Sequence, residues 1–189
     1  MQNELEGPVA DLNTAAQLDR DLAGLRWALA RVRCLLAMEP AELTRPTPGI
    51  SEWPIAKQLN HVILANDLSV RNAATVIKGK GMLLREPTNR DAEGLAILAR
   101  GRFPRGQAEA PRFVRPPEEV DLALCNQLLD EVEAELTGIE DARAALLAEE
   151  RCVPHQALGD LTGAEWIRFA RGHTVHHLLI VRDQLAARR

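Results

Sequence analysis

The strongest constraint on the fold is the recurrence of apolar residues at helical spacing in four separate stretches. In the first, Leu18, Leu22, Leu25, Leu29, Val32 and Leu36 alternate at intervals of four and three, which places them on one stripe of an α-helix. Asn13 or Thr14 caps this helix, and Glu39-Pro40 ends it, because proline has no N–H to continue the ladder. The segment Arg45-Pro46-Thr47-Pro48-Gly49 is a turn by composition. In the second stretch Ile55, Leu59, Val62, Leu64, Leu68, Val70 and Ile77 spread widely around the helix, so it is expected to be more buried than the first. It runs from Pro54, acceptable in a first turn, to Lys78-Gly79.

The third stretch follows Pro116-Pro117 and opens with Glu118 and Glu119, suited to the positive end of the helix dipole. Leu122, Cys125, Leu129, Val132, Leu136, Ile139, Arg143 and Leu146 keep one phase to about Glu149, with a weak point at Gly138. Thr162-Gly163-Ala164-Glu165 is a capping-box pattern that starts the fourth helix, which continues nearly to the C-terminus. The expected helices are therefore 14–38, 54–78, 117–149 and 163–187. No β-alternation of useful length competes, and no internal repeat is present.

Helices of roughly 25 residues are about 37 Å long, and four of them make a bundle of sensible proportions. With three Trp, three Phe and no Tyr in 189 residues, the core must come from Leu, Ala, Val and Ile, which favours helix packing. We therefore expect an all-α four-helix bundle, one domain over residues 1–189. The link over 79–116 is far longer than antiparallel neighbours need. Running the length of the bundle, it would allow the second and third helices to lie parallel. This strap carries a short helix from Asp91 to Arg100. From Lys80 to Arg115 it holds eight Lys or Arg against four Asp or Glu, in a chain whose formal charge is −4.

That acidic balance argues against nucleic acid as a partner. Cys34, Cys125 and Cys152 are odd in number and form no CxxC pair, as in a reduced, cytoplasmic protein. Met1 to Gly7 lacks the basic and apolar regions of a signal peptide. Nowhere do eighteen consecutive apolar residues occur, so no membrane-spanning helix is expected.

Three of five histidines lie in His173-Thr174-Val175-His176-His177. At 100° per residue His173 and His177 share the inward face with Trp166, Ala170, Ile180 and Val181, and His176 falls at its edge. His61 is in phase with Leu64, Ala65 and Leu68 on the second helix, so it too is an inward polar group that requires a partner. Two imidazoles four residues apart can converge on one ion, and a third from a facing helix leaves further positions open, as in catalytic sites. The competing reading is a structural histidine cluster. The glutamate of HExxH is absent, Thr174 standing in its place, which excludes a zincin-type motif. His155, after Val153-Pro154, reads as a loop residue. Gly172 costs about 1 kcal/mol inside a helix; it serves close packing or access at a site, or is a neutral residue on an exposed face.

Two segments carry a family resemblance. Trp53-Pro54-Ile55-Ala56-Lys57-Gln58-Leu59-Asn60-His61-Val62 resembles the opening of the second helix in the DinB/YfiT-like superfamily. Leu158 to Phe169, with Gly159, Leu161, Thr162, Glu165 and Trp166, followed by His173 and His177, is similar to that family's fourth helix. Pro54 departs from the usual Ser or Thr cap. The resemblance implies an up-down-down-up bundle, homodimers, and His61, His173 and His177 as ligands of a divalent metal ion. Zinc, nickel, iron, manganese and copper all suit such a site. Relatives include thiol-dependent transferases and isomerases using bacillithiol, mycothiol or glutathione, and metal-dependent hydrolases.

Two functions follow as expectations. In one, the ion activates a low-molecular-weight thiol or water against a small electrophilic substrate. Strap arginines, Arg102 and Arg105 foremost with Arg100, Arg112 and Arg115, pair with the thiol's carboxylates, or else merely balance an acidic bundle from a solvated loop. His176 stands behind the ligands or handles a proton. In the other, the chain is a non-catalytic, metal-binding or stress-associated bundle acting as a dimer.

Overall fold

The computed structural model describes residues 13–101, 103–106 and 109–188; Met1 to Gly7 and Arg102 lie outside them. Among the described residues the chain is mostly helical, with one small hairpin. The helices are α1 (Ala15–Leu36), α2 (Pro40–Thr44), α3 (Ile55–Lys78), α4 (Ala92–Arg100), α5 (Leu122–Asp141), α6 (Arg143–Ala148) and α7 (Gly163–Ala186). The hairpin pairs β1 (Val153–His155) with β2 (Gly159–Leu161), antiparallel, Val153 opposite Leu161. Among the described residues no helix is long and apolar enough to cross a membrane.

The long helices start and stop where their ends can be satisfied. Thr14 accepts the Gln17 N–H at 3.2 Å to open α1, and Thr162 with Glu165 forms the full capping box of α7. Gly79, at φ +62°, ends α3 in the left-handed conformation that glycine adopts without a Cβ penalty. The α1 stripe from Leu18 to Leu36 is buried in full, as are Cys125, Leu129, Val132, Leu136 and Ile139 of α5. Helix α3 packs against both α5 and α7, and α1 packs chiefly on α7.

Three local expectations are corrected. Helix α5 begins at Leu122, not after the proline pair, because Asp121 caps it by accepting the Ala123 and Leu124 N–H groups. Glu118 instead reaches Lys57 at 2.9 Å. The third helix is also not continuous to Glu149. It breaks at Ala142 (φ −100°, ψ 15°), not at Gly138, and α6 then turns Leu146 onto Gly163 of α7. The broken phase leaves Arg143 off the stripe and beside Asp19 at 3.8 Å. Finally, Pro40 does not only stop α1 but opens α2 as its first residue, where its missing N–H costs nothing.

The strap is pinned to the hairpin by charge. Asp160, buried on β2, accepts Arg85 Nη2 at 2.6 Å and the backbone N–H groups of Thr88 and Asn89 at 2.9 Å each. Arg90 grips Glu165 through both terminal nitrogens at 2.6 Å. A Cβ on Gly94 of α4 would lie 2.6 Å from the Leu158 carbonyl oxygen, so only glycine permits that approach. Two of the strap's basic residues, Arg85 and Arg90, thus neutralise buried carboxylates and tie the strap to β2 and α7.

Candidate metal centre

Helix α3 presents His61 and α7 presents His173 and His177, so the cluster forms where these two helices face each other. His61 Nε2 lies 3.3 Å from His173 Nε2, and His177 Nε2 lies 3.2 Å from the same atom. For metal–nitrogen bonds of about 2.1 Å, right-angled to tetrahedral geometry needs ligand nitrogens about 3.0 to 3.4 Å apart. The observed separations fall in that interval.

The other ring nitrogens decide what these Nε2 atoms are. His61 Nδ1 is 2.7 Å from the Val114 carbonyl oxygen, which can only accept, so His61 carries its proton on Nδ1. His177 Nδ1 donates to Gln58 Oε1 at 2.6 Å, and Gln58 is oriented in turn by donating from Nε2 to Ser51 Oγ at 2.8 Å. Both histidines therefore aim an Nε2 lone pair at His173. One N–H on His173 could serve one of those lone pairs and would leave the other facing no proton. A cation satisfies all three, and backing each ligand's second nitrogen with a carbonyl is the usual support for a metal-bound imidazole. Burial holds all three side chains below the ordinary histidine pKa, His173 and His177 well below it, which keeps the rings neutral and ready to ligate.

His61 is buried, whereas His173 and His177 are half-buried and open on one side into a cavity of about 450 Å³. Gly172 belongs to this arrangement: a Cβ there would sit 2.8 Å from Phe103 Cε2, so the glycine is what lets the strap close on α7. Phe169 stacks on His173, ring centroids 5.1 Å apart, and Trp53 meets His61 edge-on at 5.2 Å. Thr174, in the position of the missing glutamate, points away towards α3, where it pairs with Asn66, and its hydroxyl donates to the Ala170 carbonyl one turn back on α7 itself.

His176 lines the cavity and lies 5.1 Å from the His177 ring, outside the converging group of three. It hydrogen-bonds the Phe103 backbone, and burial lowers its pKa. Arg105 is engaged with Asp183 at 2.8 Å, and Arg115 is beside Glu109 at 3.6 Å. Arg100 bonds its own helix at Ala96. No Arg or Lys lines the cavity among the described residues.

Three contributions were missed by sequence reasoning: those of His155, Gln58 and Val114. His155 is not a loop residue: it sits on β1, lines the cavity and packs 4.5 Å from Phe169, and burial drives its pKa down to about 4. Gln58 was readable in principle, since it precedes His61 by three residues and so shares its face. Val114 could not be read this way, because its contribution is a backbone carbonyl from the strap.

A family model described as the DinB superfamily matches residues 12–181, a span that includes every residue of the histidine cluster. No curated protein and no solved structure matches the chain.

Proposed function

The chain belongs to the DinB superfamily, and on that premise we propose that it is a metal-dependent enzyme. In this reading His61, His173 and His177 hold a divalent ion at the cavity wall, and the substrate is a small electrophile. The observation that carries it is the tautomer lock at Val114 and Gln58, which sets two Nε2 lone pairs against a third imidazole. A divalent ion held there supplies a Lewis acid that lowers the pKa of a bound water or thiol.

The chain's own residues do the rest. Val114 and the Ser51–Gln58 pair fix ligand orientation. Phe103 and Phe169 shield His173 from bulk water. His176, bonded to Phe103 through one nitrogen, has the second to take up or release a proton.

The same reading gives the four long helices an up-down-down-up course. Asp21 of α1 with Arg168 of α7, and Arg188 just beyond the end of α7 with Glu42 of α2, which follows α1, support α1 and α7 running together. Lys57 with Glu118 and Asn60 with Cys125 support α3 alongside α5. Gln58 with His177 and Gln184 with Trp53 support α3 against α7.

The test is a screen of small esters, amides and epoxides, with and without bacillithiol, mycothiol or glutathione. Turnover should vanish on chelation, return with a divalent ion and be absent in His173→Ala. Turnover indifferent to chelation, or none with any substrate, refutes the reading.

A further inference from the structure

The chain holds three Trp, three Phe and no Tyr, and five of these six rings line the cavity beside the histidines: Trp53, Phe103, Phe113, Trp166 and Phe169. They arrive from separate parts of the chain, one before α3, two from the strap and two from α7. Trp166 and Phe169 also belong to the buried core, whereas Trp53, Phe103 and Phe113 keep part of their surface exposed and face the cavity. Phe103 meets Phe169 edge-on at 5.7 Å, and Phe169 meets Trp166 at 5.8 Å, a continuous aromatic wall. Phe113 remains 63% exposed and completes the wall at the mouth.

Besides the histidines, the polar side chains on the same wall are Gln58, Asn72, Gln156 and Glu109 among the described residues. Its one charged side chain among the described residues is Glu109, which is almost fully exposed and paired with Arg115. His155 contributes a neutral donor: its Nδ1 accepts the Ala157 N–H at 3.1 Å, which leaves the ring proton on Nε2. A ligand with several charged groups would find its charges desolvated without partners, a cost of several kcal/mol per group. A flat apolar body would find ring faces and edges on several sides.

We propose that the cavity takes a small molecule with an aromatic or similarly flat apolar body, carrying no charged group beyond the one that reaches the histidine cluster. His155 Nε2–H offers it one hydrogen bond. The inference rests on the metal-centre reading only for where the polar end goes; recognition of the body is the work of the aromatic wall. Among the described residues the cavity offers no cationic partner to a multiply charged thiol such as glutathione.

The test uses the full chain with Trp27→Phe, so that Trp53 and Trp166 are the remaining tryptophans, both at the cavity. Titration with neutral N-phenylnaphthylamine should give saturable energy transfer from tryptophan to probe, before and after chelation of metal. Phe113→Ala, a rim change that leaves the core intact, should weaken probe binding about tenfold. Millimolar glutathione should not displace the probe. Absence of saturable transfer in the chelated chain, displacement by glutathione, or affinity in Phe113→Ala within twofold of its parent overturns the proposal. Metal content measured on the same samples separates the two ideas. Probe binding in a chain that takes up no metal supports the aromatic site while refuting the metal centre, and metal uptake without probe binding overturns the aromatic site alone.

Discussion

Replacing Gln58 by Met isolates the hydrogen bond that fixes His177 from the ligand itself. Met keeps the length of the side chain and much of its volume, so the α3–α7 packing is preserved. It removes the Oε1 that accepts His177 Nδ1–H at 2.6 Å, and Ser51 Oγ loses its 2.8 Å donor. His177 then has two courses. It can keep the proton on Nδ1 and bury an unsatisfied donor, at about 1–3 kcal/mol, or move the proton to Nε2 and cease to be a ligand. Either way metal affinity falls, by about 10- to 100-fold, the range seen when such supporting groups are lost, which is about 1.4–2.8 kcal/mol. Gln58→Glu keeps an acceptor and should retain affinity or raise it. Competition against a chromogenic chelator measures the parent, the two Gln58 variants and His177→Ala. Affinity in Gln58→Met within twofold of the parent, with His177→Ala abolishing binding, would show that the tautomer lock does not govern the site.

Other outcomes follow from the strap and from Gly172. The Asp160 carboxyl is held down at about 2 although burial opposes its ionisation, chiefly because Arg85 and the Thr88 and Asn89 N–H groups bond the charged form. Its folded pKa lies below the unfolded value near 3.9, so the stabilisation is fully present above that value and is lost as pH falls towards 2. It amounts to roughly 2 kcal/mol. Urea unfolding of the native chain should therefore lose more stability between pH 5 and 2 than Asp160→Asn does; parallel curves for the two would contradict this origin. Gly172→Ala gains about 1 kcal/mol of helix propensity but places a Cβ 2.8 Å from Phe103 Cε2. It should leave the chain folded, displace Phe103 and reduce affinity of aromatic probes, and a crystal structure with Phe103 unmoved refutes that coupling. Leu129→Ala, at a fully buried position, should cost about 2–5 kcal/mol, whereas Trp27→Ala, 56% exposed, should cost less than about 1 kcal/mol; equal losses by chemical denaturation would contradict the assigned core.

What the sequence makes legible is local or periodic. The α1 stripe and the α7 capping box follow from spacing alone, and His61, His173 and His177 were readable as inward polar groups on apolar faces. The break at Ala142 was not, because alanine is a strong helix former and the cause lies elsewhere, in the packing of Leu146 on Gly163. Gly138 drew attention as a weak residue, yet a Cβ there would meet nothing and the helix passes through it. The hairpin is three residues a side, too short for alternation to register, and His155 was misread with it. Arg85 and Arg90 look like any solvated basic residue until Asp160 and Glu165 are placed beneath them. The aromatic wall was least legible, since five rings from distant positions meet only when the strap is laid over α3 and α7.

The central claim is that three imidazole nitrogens converge on one cation. Its most direct test is elemental analysis of the chain purified without added metal, loaded with a single divalent ion and desalted, beside His173→Ala treated identically. The account predicts one ion per chain in the first and essentially none in the second, with both proteins folded by circular dichroism. Equal metal content in the two would contradict it.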